Sequence, residues 1–177
     1  MQRQAITAEE FSCSPLNIWD RGWFLLSSGD FPAGEYNSMT VSYGSFGTMW
    51  NKPFAMVVVR PQRYTWQFLE KFDSFTLCAF PSECRKSLEV LGAKSGRQID
   101  KIHPAGLTPI ASSIVASPAY EEAQLIVECH KIYFNDFDPK HFLADYIAPG
   151  YNNDYHRMYF GEILAVSGVE RFAGRKS

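Results

Sequence analysis

Residues 37–65, NSMTVSYGSFGTMWNKPFAMVVVRPQRYT, gather hydrogen-bonding side chains, glycines and arginines in one short block. Asn37, Ser38 and Thr40 are small polar groups, with Met39 among them, where a strand is expected to begin. Gly44 and Gly47 punctuate an expected turn and let backbone approach something closely. Val57, Val58 and Val59 read as a buried strand that ends in Arg60-Pro61-Gln62-Arg63. A strand end that delivers hydroxyls, glycines and arginines together suits a flat, anionic, hydrogen-bonding ligand. Such a ligand, more than any catalytic side chain, would carry the chemistry.

A second cluster lies downstream. Ser95-Gly96-Arg97, with Lys101 four residues later, combines a hydroxyl, a backbone without Cβ and an arginine fork, the parts a phosphate needs. A helix starting just after Ser95 would add its positive end. A solvated polar turn has the same composition, and Arg60 and Arg63 read equally as anion readers or as surface arginines. His156, after an Asn- and Asp-rich loop, is placed either to donate to a ligand and help proton transfer or to sit hydrogen-bonded at a strand edge. Trp50 and Tyr64 are candidates for ring stacking, or plain core and rim aromatics. Neither a G-x-S-x-G elbow nor a G-x-G-x-x-G fingerprint occurs. Cys129 and His130 are adjacent in an expected strand and so face opposite ways, which argues against a zinc site and leaves no metal expected.

The elements that must position these groups are mostly strands. With 177 residues and 46% hydrophobic content, the chain has material for one well-cored domain, expected to span 1–177. Strands are expected at 23–28, 39–43, 53–59, 75–80, 123–134 and 156–166. Helices are expected at 66–72, capped by Thr65, and at 82–92, with Ser82 as N-cap and Gly92 just past the end. Residues 95–103 read as a polar loop, and 136–155 as loop-rich. Six strands with a few short helices, not in βαβ alternation, suggest a closed or nearly closed β-barrel. A net charge of −2 gives no reason to expect nucleic acid or an anionic membrane as partner. No apolar run is long enough for a transmembrane helix, and the N-terminus lacks a signal-peptide core. Four cysteines without a regular framework read as reduced thiols, so a cytoplasmic location is expected.

Taken in order, these blocks resemble the flavin reductase-like family of FMN-binding split barrels, in particular its flavoredoxin-like branch. The resemblance rests on Asn37-Ser38-Met39-Thr40 with Tyr43-Gly44, Trp50-x-x-Pro53, and Val59-Arg60-Pro61-x-Arg63-Tyr64-Thr65. It continues through the 75–81 strand, Leu91-Gly92-x-x-Ser95-Gly96-Arg97, Asp100-Lys101 and Gly106-Leu107-Thr108. It closes on Leu125-x-x-Glu128-Cys129 and His156-x-x-Tyr159-x-Gly161-Glu162-Ile163. It implies a mainly β fold, a split β-barrel with a few short helices, acting as a homodimer with FMN near the interface. Residues 37–40 would line the isoalloxazine ring. Arg63, Tyr64 and Thr65, with Ser95, Gly96, Arg97 and Lys101, would hold the ribityl phosphate, and His156 would sit near the ring or the nicotinamide. Tyr43 stands where many relatives have Trp. The implied activity is NAD(P)H-dependent flavin reduction, with NADH or NADPH as donor. The alternative is an electron carrier that keeps FMN bound and serves a redox protein partner.

Overall fold

The computed structural model describes residues 2–97 and 101–174. In chain order its strands are β1 (Gln4–Ile6), β2 (Phe24–Asp30), β3 (Glu35–Val41), β4 (Gly44–Met49) and β5 (Lys52–Val59). They continue as β6 (Ser74–Ala79), β7 (Pro109–Ile110), β8 (Ala119–Tyr120), β9 (Leu125–Asp136) and β10 (Arg157–Gly168). The helices are α1 (Pro15–Asn17), α2 (Tyr64–Lys71) and α3 (Arg85–Ala93), joined by a π turn at Ile18–Gly22 and several 3-10 turns.

Eight strands form one antiparallel sheet in the order β3-β2-β6-β9-β10-β5-β4, with β1 on β10; β7 and β8 pair separately. β3 and β4 are the two ends of that path, yet only Ser42 and Tyr43 connect them. A link this short spans at most about 11 Å. The sheet must therefore curl until its ends nearly meet, which makes it a split β-barrel. Bulges in β10 against β9, at Phe160/Gly161 and Ile163/Ala165, bend the two longest strands.

Alternation along the strands fills the barrel. Phe24, Leu26, Val41, Val57, Phe75, Leu77, Val127 and Tyr159 point into one buried core. On the outside of β2, β6 and β9, Leu25, Cys78 and Ile126 pack against Leu88 and Leu91 of α3 and against Tyr120. β6 is buried on both faces, and its two polar side chains, Ser74 and Thr76, are hydrogen-bonded to Ser117 Oγ and Pro118 O. Burial pushes the Cys78 thiol up to about 12 and raises Cys129 as well, and all four cysteines are unpaired. Among the described residues no helix is long and apolar enough to cross a membrane, and no group of three His, Cys, Asp or Glu could hold a metal.

Several boundaries differ from expectation for identifiable reasons. Residues 44–49 are strand β4, not a turn, because all six pair with β5. The turn is the two-residue loop Trp50-Asn51, both at positive φ (54° and 58°), the geometry of a type I′ hairpin. Asn37, Ser38 and Thr40 lie within β3 rather than at its start. α2 begins at Tyr64 with no side-chain cap, because the Thr65 hydroxyl accepts a hydrogen bond from Asn37 Nδ2 instead (2.6 Å). Ser82–Cys84 is a 3-10 turn without a side-chain cap, and Gly92 lies inside α3. A Cβ on Gly92 would stand 3.3 Å from the Thr40 Cβ, so this glycine serves the packing of α3 on β3.

Candidate functional site

A two-lobed groove lies in the split of the barrel. One lobe, about 250 Å³, is lined by β3 and the 42–43 link on one side, the end of β5 and Arg60 on the other, with His156 between. The second lobe, about 230 Å³, is lined by Arg63, Tyr64 and Thr65, by the end of α3, and by Ser95, Arg97 and Lys101. Met39 and Arg63 line both lobes. The fold thus brings the 37–65 block together with Ser95, Arg97 and Lys101, which lie well downstream in the sequence.

The second lobe is cationic without compensation. Arg63, Lys94, Arg97 and Lys101 line it, and no carboxylate among the described residues does. Asp100 lies outside the described residues, as do 98 and 99 of the expected polar loop. Burial, then the Arg63 charge, pushes the Lys101 ammonium down to about 8. Burial, then Arg60, lowers Arg63. Lys101 Nζ donates to the carbonyls of Leu91 (2.9 Å) and Lys94 (3.0 Å), and an Arg63 Nη2 donates to Gly92 O. Both cations therefore close the carbonyl end of α3, and residues 95–97 follow a helix C-terminus rather than open a helix. Arg97 donates to Gln62 O (3.1 Å), and its guanidinium lies 5.6 Å from the centre of the Tyr64 ring. At Gly96 a Cβ would come within 2.4 Å of Asn37 Oδ1, so the close approach made there is to Asn37.

The first lobe is less charged. Arg60 donates to Gly150 O (3.0 Å) and stands 4.9 Å from the Tyr151 ring centre, which ties the 137–155 loop to the end of β5. The Tyr151 hydroxyl lies 2.7 Å from His156 Nδ1. His156 is buried, and burial, followed by Arg60, pushes its imidazole down to about 4. It is neutral at pH 7, and where Tyr151 donates to Nδ1 the ring proton sits on Nε2. Because the folded form holds this pKa below the unfolded value near 6.5, its contribution is whole above that value and fades as pH falls toward 4. Acidification should therefore cost the wild type on the order of 1–2 kcal/mol more stability than it costs His156→Gln between those limits. Urea midpoints at several pH values check this, and parallel curves would count against it.

Several sequence candidates are placed elsewhere or have their polar groups engaged elsewhere. The Ser38 hydroxyl is buried between Ser27 Oγ (2.7 Å) and Tyr120 Oη (2.6 Å), on the side of β3 away from the cavity. Thr40 lines the first lobe, but its hydroxyl donates to Leu88 O (2.5 Å). Trp50 is exposed at the β4–β5 hairpin tip beside Tyr133 and is not brought to the groove. Asn37 is buried behind the second lobe. Gly44 and Gly47 meet core side chains rather than the cavity: Trp19 and Phe54 respectively. Tyr151 and Lys94, which the sequence reading did not single out, join the site through the 137–155 loop and the end of α3. No local pattern marks either.

The family described as flavin reductase like domain matches residues 20–174. No curated protein matches the sequence. Among solved structures, flavoredoxin from Methanosarcina acetivorans is similar at TM-score 0.67 and 20% identity, over 93% of this chain and 72% of that one. The NADH:FAD oxidoreductase of Streptomyces globisporus is similar at TM-score 0.62 and 14% identity, over 82% and 74%. An FMN-binding protein from Thermus thermophilus is similar at TM-score 0.64 and 19% identity, over 88% and 76%.

Proposed function

Since the chain belongs to the flavin reductase like domain family, we propose that it is a flavoprotein that holds FMN in the barrel groove and reduces it with NADH or NADPH. The observation that carries this reading is the pairing, across Met39, of a lobe lined by the four cations Arg63, Lys94, Arg97 and Lys101 with a less charged one lined by Arg60 and Arg63. A dianionic phosphate relieves the mutual repulsion of Arg63 and Lys101, and a flat ring system fits the less charged lobe. Similarity to structures named for NADH:FAD and FMN chemistry supports the assignment.

In this reading Arg63, Arg97 and Lys101 hold the phosphate, with Ser95, Gly96, Tyr64 and Thr65 shaping its pocket. Met39 and Val59 form the apolar floor of the ring lobe. Asn37 acts from behind, since its bond to Thr65 joins β3 to the start of α2. Neutral His156, held by Tyr151, offers a hydrogen bond without adding charge. The flavin supplies hydride acceptance from the nicotinamide and onward electron transfer. The whole chain, 1–177, acts as one domain and as a homodimer in the cytoplasm. Trp50, Tyr133 and Phe134, exposed near the β4–β5 hairpin and on β9, contribute apolar surface to that dimer. A second reading, an electron carrier with tightly retained FMN and a redox protein partner, is favoured by the similarity to flavoredoxin over 93% of the chain.

The test is the visible spectrum of protein loaded with FMN and then freed of unbound flavin, followed by anaerobic addition of NADH or NADPH. A retained, shifted flavin band that bleaches with either donor supports the reductase. A retained band that bleaches with neither supports the carrier, and no retention at any loading removes FMN as a bound cofactor. Arg97→Ala should weaken FMN about tenfold while shifting the urea midpoint little, since this side chain is exposed and gives up one bond to Gln62 O. Equal affinity in the variant would remove Arg97 from the phosphate lobe.

A further inference from the structure

A second cavity, of about 520 Å³, has more than twice the volume of either groove lobe and shares no lining residue with them. It lies at the opposite end of α3, between the π turn, Pro81-Ser82 and the C-terminal 3-10 turn. We propose that it is a separate binding site for planar aromatic carboxylates of one or two rings. The assignment does not rest on the flavin reading.

Three observations carry it. The first is charge: Arg21, Arg85 and Arg171 line the cavity and no carboxylate among the described residues does. Among the described residues the one acid in a salt bridge with these arginines is Glu89, an exposed residue 3.7 Å from Arg85 Nε. The second is preorganisation. The Arg85 guanidinium sits 3.1 Å from the centre of the Trp23 ring and donates to Arg21 O (2.6 Å), while that of Arg171 sits 4.7 Å from the Phe172 ring centre and donates to the Gln124 side chain. Each arginine carries five N–H donors, so both keep donors in reserve on a fixed plane, the arrangement that receives a carboxylate. The third is strain. Trp23 holds φ 64° and ψ 157°, a conformation nearly reserved for glycine, directly after the π turn Ile18–Gly22. A chain shaped only for stability would place the glycine at 23; here it stands at 22, and the strained position carries the indole that supports Arg85.

The walls decide the rest of the ligand. Trp23, Phe80, Pro81 and Phe172 offer flat apolar surface, and the volume lies in the range of small-molecule sites. A polyphosphate is disfavoured: no lysine lines the cavity, and the turn at Ser82–Cys84 is too short to present a row of N–H groups.

The test is calorimetric titration with 2-naphthoate, with and without saturating FMN. Its uncharged isostere 2-naphthamide and inorganic phosphate serve as comparison probes. Naphthoate should bind equally with and without FMN, and at least about tenfold more tightly than the amide. Arg85→Gln and Arg171→Gln should each weaken naphthoate about tenfold or more and leave FMN affinity unchanged. Arg171 is exposed, so its variant keeps the test valid if loss of the Trp23 stack unfolds Arg85→Gln. The proposal is overturned by any of four results, three of them seen with the ring probes and FMN. These are no naphthoate binding, equal binding of acid and amide, or competition by FMN with sensitivity to Arg97→Ala in place of Arg171→Gln. Complete displacement by millimolar phosphate would also overturn it, by marking a general anion site.

Discussion

Arg63→Ala should weaken FMN binding roughly 10- to 150-fold, the largest effect expected of any single groove residue. Arg63 lines both lobes, is half-buried, and has its guanidinium pKa lowered first by burial and then by Arg60. A hydrogen bond from such a cation to a phosphate is worth about 1.5–3 kcal/mol, which sets that range. Folding should lose only about 1 kcal/mol, because the bond given up is the one to Gly92 O. The variant carries a second signature. Lys101 is held down to about 8 by burial and then by Arg63, so removing Arg63 lets its pKa rise. In the wild type the unfolded chain binds the Lys101 proton more tightly than the folded one. Stability therefore rises with pH from about 8 to about 10.5, and this slope should flatten in Arg63→Ala. Fluorescence titration with FMN and urea midpoints across that window measure both effects. An unchanged FMN affinity would move the phosphate out of the second lobe.

Gly44→Ala should destabilise the fold by about 3 kcal/mol or more. A Cβ at Gly44 would stand 2.5 Å from Met56 O and 2.5 Å from the Trp19 ring. The carbonyl belongs to the β4–β5 ladder and cannot yield without breaking it. Gly44 also opens β4 directly after Tyr43, so the strain falls on the link that holds the two ends of the sheet together. Gly150→Ala is the matched control, since a Cβ there meets nothing within 4 Å, and it should change stability by less than about 0.5 kcal/mol. Thermal unfolding of the two variants decides the matter. A small loss in Gly44→Ala would show that β4 can shift away from Trp19.

By itself the sequence determined the class of the fold and the chemistry on offer. Valine and aromatic runs marked β5, β6 and β9 to within two residues, because their side chains are buried and burial leaves an apolar signature. The spacing of Leu88 and Leu91 marked the buried face of α3 for the same reason. Arg63, Ser95, Gly96, Arg97 and Lys101 were legible as groups whose types suit a phosphate, and the fold gathers Arg63, Ser95, Arg97 and Lys101 around one cationic lobe.

Tertiary structure decided where those parts point and what else employs them. β4 carries two glycines and little local preference for a strand, and only its pairing with β5 makes it one. Trp50 looked like a stacking ring but holds a positive φ at a hairpin tip, a consequence of the register across β4 and β5. Ser38 and Met39 are neighbours, yet strand alternation sends the first into a buried hydroxyl network and the second between the two lobes. The depressed pKa of Lys101 likewise comes from its burial and from the charge of Arg63, which lies in another segment of the chain. Residue type and short spacing fix what a side chain can do. Its partners are fixed by contacts between segments far apart in the chain, and no local pattern encodes those.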